Sequence, residues 1–112
     1  MTIKYARLIE GSLLTGSIAT YYTAPALTKT VIKKLTFCNN TSDNASLTVH
    51  LVKAGDTAGN KNLLIDARQL ASDETFDCFA ALLHVLEPGD TIQAKSSVAN
   101  AINIMASGIE TK

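Results

Sequence analysis

Apolar and polar residues alternate with a period of two over three stretches of the chain. Leu47, Val49 and Leu51 fall on one side and Ser46, Thr48 and His50 on the other. Ile92 and Ala94 oppose Thr91, Gln93 and Lys95, and Ile102, Ile104 and Ala106 oppose Asn103, Met105 and Ser107. Successive side chains of a β-strand point to opposite faces of its sheet, so each stretch predicts a half-buried antiparallel strand. A longer strand is expected from Thr28 to Asn39, with Val31, Leu35 and Phe37 on one face and Lys34 and Thr36 on the other. Ile3 to Ile9 and Ser17 to Tyr22 are shorter candidates.

Three clusters separate these runs: residues 39–44 (NNTSDN), residues 54–60 (AGDTAGN) and Glu87-Pro88-Gly89-Asp90. Each is rich in residues that favour turns. In the last, Pro88 pre-sets the backbone for the second turn position and Gly89 accepts a positive φ at the third, which predicts a type II turn. Gly11-Ser12 and Gly16-Ser17 read as a loop before the second strand.

One region has two readings. Leu63, Leu64, Ala67, Leu70 and Ala71 also fit a helical stripe, as do Phe79, Leu82, Leu83 and Leu86, so a short helix within 62–72 or 78–86 competes with strands there. Strands are preferred, because β pattern brackets the region and Phe76, Cys78 and Ala80 alternate with Thr75 and Asp77. Regularly spaced strands of this kind predict an all-β chain, one antiparallel β-sandwich of about eight strands over residues 1–112, jelly-roll-like or immunoglobulin-like.

Composition narrows the partners. Of 112 residues 46% are hydrophobic and 18% charged, enough apolar matter for a core and too little charge for a disordered chain. Ten basic side chains balance ten acidic ones. The chain therefore lacks the basic footprint that nucleic acid or an anionic membrane would demand, and it lacks the self-repulsion that opposes association. The first eight residues, MTIKYARL, offer no apolar core of a signal peptide. The longest apolar run, Cys78 to Leu83, is far below the roughly 18 residues of a spanning helix. Synthesis in a reducing cytoplasm without secretion is the expectation, with Cys38 and Cys78 as free, buried thiols. The sequons at Asn39, Asn40 and Asn44 then read as turn composition.

Candidate chemistry is sparse. His50 and His84 lack the spacing of a metal pair, no CxxC motif supports Cys38 or Cys78 as ligands, and neither GxSxG nor a glycine-rich phosphate loop is present. Asp73, Glu74 and Asp77 form a surface cluster near a strand start. No enzyme activity, cofactor or metal is expected. Tyr21-Tyr22 is the only pair that could offer a sugar an aromatic platform, and one of two adjacent strand residues should point inward. Lys33-Lys34, with Lys29 nearby, is the only basic concentration, and guarding a sheet edge competes with partner contact as its role.

Taken in order, Tyr22-Thr23-Ala24-Pro25, residues 29–35 (KTVIKKL), Asn39-Asn40-Thr41-Ser42, residues 47–52 (LTVHLV), residues 86–92 (LEPGDTI) and the closing Ser107-Gly108-Ile109-Glu110 resemble a family of small virion proteins of tailed bacteriophages. The resemblance covers residues 20 to 110. It implies a compact β-sandwich carried on a virion, as a capsid decoration (cement) subunit or a neck, tail or fibre component, and it implies no catalytic residue.

The expectation is thus a structural or accessory subunit of a bacteriophage particle, with itself and a capsid or tail protein as partners. A module that recognises a host surface glycan is the alternative, and a small hydrolase the third class. Ile32 and Val52 lie opposite their strands' main apolar stripes, so with Lys33 and Lys34 they are the expected interface residues of a homo-oligomer. The family resemblance implies a trimer.

Overall fold

The computed structural model describes residues 2–112. Among them are nine strands: β1 (Ile3–Leu13), β2 (Ala19–Thr23), β3 (Lys29–Asn39), β4 (Ala45–Val52), β5 (Leu63–Leu70), β6 (Thr75–Asp77), β7 (Val85–Leu86), β8 (Thr91–Ser96) and β9 (Ile102–Thr111). All strand pairs are antiparallel. One sheet, here sheet A, runs β1-β9-β3-β6, with β7 also on β3; sheet B runs β2-β8-β4-β5.

β6 and β7 act as one interrupted strand. The turn between them stays hydrogen-bonded along β3: Cys78 N–H donates to the Leu35 carbonyl (2.8 Å), Leu83 N–H to the Ile32 carbonyl (2.8 Å), and Ile32 N–H to the His84 carbonyl (3.1 Å). Counted so, eight strands form two facing four-stranded sheets whose order is that of a jelly roll. Of the two sandwiches expected from the sequence, the jelly-roll order is the one found. The core lies between the sheets, with Leu8, Ile32, Leu35, Phe37, Ile102 and Ile104 from sheet A against Leu47, Val49, Ile65, Ile92 and Ala94 from sheet B.

No α-helix occurs among the described residues; Asn60–Asn62 and Phe79–Ala81 form single 3-10 turns. Residues 63–70 are a strand despite their helical stripe, and Ala67 at φ 47° sits in a bulge that no continuing helix would accommodate. The second helical candidate ends likewise, at Leu83 with φ 69°. Gly11-Ser12 is not loop: β1 continues to Leu13, and Gly11 at φ 135° absorbs an irregularity of register between Ile9 and Ser12. The turn at Glu87–Asp90 forms as expected, with Gly89 at φ 87° and Asp90 N–H on the Glu87 carbonyl at 2.9 Å.

Bulges decide which side chains face out. In β3, Ile32 pairs with Gly108 and Lys34 with Ser107, so Lys33 is an extra residue. The inward set therefore shifts phase from Thr30 and Ile32 to Leu35, Phe37 and Asn39.

Candidate interaction surface

The phase shift in β3 overturns part of the expected interface. Ile32 is fully buried in the core of its own chain, whereas Val31, expected inside, lies on the outer face of sheet A. Val52 is also buried, at 2% exposure. The chain beyond β4 folds back on that face, where Asn62 Oδ1 meets His50 Nδ1 at 2.9 Å. Neither side chain is available to a partner.

Lys33 and Lys34 are both exposed, because the bulge removes the alternation that would send one of them inward. β3 is an interior strand, so they guard no sheet edge. Lys34 pairs with Asp77 at 3.5 Å and Lys29 with Glu87 at 3.7 Å, which neutralises most of the basic concentration. The Thr36 hydroxyl, 2.7 Å away, and then the Lys34 charge hold the Asp77 carboxyl below its ordinary value.

The other candidates have structural work to do. Glu74 Oε1 accepts from Ala71 N–H at 2.8 Å, closing the turn before β6. Cys38 is half-buried and Cys78 buried, and both are free thiols; burial raises the Cys78 thiol's pKa. No group of three His, Cys, Asp or Glu side chains suited to a metal ion occurs among the described residues.

Tyr21 and Tyr22 form no platform. A register shift between Thr20 and Tyr22 lets both rings pack against the core instead of one. The Tyr21 hydroxyl accepts from Thr15 N–H at 3.0 Å, and the Tyr22 hydroxyl contacts Thr30 and Glu110. Burial first, with the Glu110 carboxylate adding to it, pushes the Tyr22 phenol up to about 12.

What the sequence reading missed is the outer face of sheet A. Directly paired residues share a face, so the register assembles a row across four strands: Tyr5 on β1, Ile109 on β9, Val31 on β3 and Val85 on β7. Tyr5 is 83% exposed and Val85 52%. Ile3, 60% exposed, adds a third large apolar group on the same face of β1. Beyond the row lie Arg7, Ser107 and Lys34, which with Glu10, Thr36 and Met105 border a shallow depression of about 470 Å³. The signal was present in the alternation of Ile3, Tyr5 and Arg7 with Lys4 and Ala6, but only register shows which strands continue it.

No protein-family model matches the chain, and no curated protein matches it in sequence. Among solved structures, the chain is similar to one of infectious bursal disease virus, Gt strain, at 12% identity and TM-score 0.49, over 97% of this chain and 32% of that one. It is also similar to one of the Gx strain of the same virus at 13% identity and TM-score 0.42, over 97% and 30% respectively. The chain thus spans about a third of the length of these viral chains, and the fold assignment rests on its own strand order.

Proposed function

We propose that this chain is a structural or accessory subunit of a bacteriophage particle, a capsid decoration or a neck or tail component, acting by protein–protein contact and doing no chemistry of its own. One observation carries the reading: the Tyr5–Ile109–Val31–Val85 row leaves Tyr5 and Val85 in water, with half-buried Ile109 and Val31 between them, on the outer face of sheet A. Such a patch on a small chain marks a surface that another protein covers. Jelly rolls serve as viral shell domains and as lectins, so the fold is compatible with this role without deciding it. The Tyr21–Tyr22 pair that a glycan-binding role would have used as a platform is committed to the core.

The partners in this reading are further copies of the chain and a capsid or tail protein. The test is mass spectrometry of gradient-purified particles produced by the genome that encodes the chain. Stoichiometric presence in intact particles, with antibody labelling at the shell or tail, is the expected result. Absence from particles, with the protein left soluble in the lysate, overturns it.

A further inference from the structure

We infer that the outer face of sheet A is a two-fold self-association surface, on which a second copy of this chain stacks face to face. The inference deepens the structural-subunit reading by naming the surface and the partner, yet it concerns the purified chain and can be tested without a particle.

Size is the first argument. Four strands at about 4.8 Å spacing make the face about 19 Å wide, and an eleven-residue strand such as β1 makes it about 36 Å long. The resulting footprint of about 700 Å² is close to the roughly 800 Å² per partner of a stable interface. The apolar row crosses this face toward the end where the termini meet, with Lys29 and Glu87 on one side of it and Arg7 and Lys34 on the other, an apolar strip between charged borders.

Charge favours a copy over a foreign partner. On one side of the row Lys29 pairs with Glu87; on the other, Lys34 pairs with Asp77 near Arg7 and Glu10. This balanced rim would steer neither a polyanion nor a polycation, and copies of net charge zero do not repel at long range.

The registers also choose the axis. With the two-fold axis along the strands, each row turns end for end: Tyr5 faces Val85 of the second copy and Ile109 faces Val31. Lys29 then meets Thr111 and Lys34 meets Ser107, and the one like-charge contact, Glu10 with Asp77, falls two rows away from the apolar row, where Lys34 already pairs with Asp77. With the axis along the row, Lys29 would face Lys34, a like-charge contact that disfavours this arrangement. Face-to-face stacking accommodates two copies and no third, so the trimer implied by the family resemblance is the competing stoichiometry.

The test is sedimentation equilibrium of the purified chain up to millimolar concentration, alongside Tyr5→Asp and Val85→Asp. The expected mass of the wild type is twice the 11.9 kDa of the chain, and each variant should sediment at 11.9 kDa with its β-type circular dichroism and melting cooperativity retained. A second measurement fixes the orientation. In a Cys38→Ser background, Tyr5→Cys and Val85→Cys proteins mixed and treated with a short bismaleimide that spans the roughly 10 Å between stacked sheets should cross-link to each other at least tenfold more than either does to itself. The two Tyr5 positions of such a dimer are offset by three strand spacings, about 14 Å, in addition to the gap between the sheets, too far for so short a linker. A monomeric or trimeric wild type, a dimer unaffected by both Asp variants, or cross-linking of Tyr5→Cys chiefly to itself overturns the inference. A monomer that is nonetheless present in purified particles would overturn the self-association alone and leave the structural-subunit reading standing.

Discussion

The Tyr22 hydroxyl lies 2.7 Å from Glu110 Oε2, joining β2 of sheet B to β9 of sheet A. It is also 2.8 Å from Thr30 Oγ1 on β3. A phenol has one proton, so Tyr22 donates to the carboxylate and Thr30 donates to Tyr22. One side chain thereby latches both sheets at the end where the termini meet.

The latch depends on pH. The Tyr22 pKa is raised from 10.0 to about 12, so the stability carried by the neutral phenol is whole below pH 10 and is lost as pH rises toward 12. Wild type should lose stability across that window, and Tyr22→Phe should lose about 1 kcal/mol at neutral pH while showing a shallower alkaline decline. Urea titrations at pH 7, 10 and 11.5 check both; parallel declines in the two proteins would contradict the latch.

Asn39 is the second tie between sheets, and it is wholly buried. Its Nδ2 donates to the carbonyls of Asp43 (2.8 Å) and Leu70 (3.1 Å), and its Oδ1 accepts from Thr41 N–H (3.0 Å) and the Thr41 hydroxyl (2.8 Å). Asn39→Asp would turn the donating side toward two carbonyls as a buried acceptor. We expect a loss of about 3 kcal/mol or more, exceeding that of Asn39→Ser, in chemical denaturation.

Gly108 is a steric requirement. A Cβ there would overlap the carbonyl oxygen of Val31 and come within 2.9 Å of Leu8 Cδ1. The obstacle is backbone of the neighbouring strand, which cannot swing aside as a side-chain tip does. Gly108→Ala should cost about 1–3 kcal/mol, read as a lower denaturation midpoint, and should broaden amide signals of β3 near the bulge.

Much of this architecture was legible because β4, β8 and β9 keep strict alternation. β4, β8 and β9 pair without a shift along β4–β8 and through the centre of β9, so Leu47, Val49, Ile92, Ala94, Ile102 and Ile104 fell on the face expected of them. Bulges were not legible, since an extra residue such as Lys33 or Tyr21 carries no local composition signal; its effect is to reverse the phase of everything on one side of it. Asn39 was hidden for a different reason. Its neighbours form a true turn, and only the position of Leu70 on the opposite sheet turns its amide into a buried tie. The candidate surface required knowing which residues of β1, β3, β7 and β9 stand level, which is a property of register and not of any one segment.

The bulge itself can be tested through two adjacent residues. Strict alternation places Val31 in the core and Ile32 outside; the extra residue at Lys33 puts Ile32 at 0% exposure and Val31 on the outer face. An aspartate at position 32 would be an unpaired charge among Leu35, Phe37 and their neighbours, costing several kcal/mol against a total stability of roughly 5–15 kcal/mol. At position 31 its carboxylate would reach water. Ile32→Asp should therefore be largely unfolded by circular dichroism and one-dimensional NMR at 25 °C, whereas Val31→Asp should fold with a midpoint lowered only slightly and lose self-association. If Ile32→Asp folds and Val31→Asp does not, β3 runs without its bulge, and the Tyr5–Ile109–Val31–Val85 row does not exist as a surface.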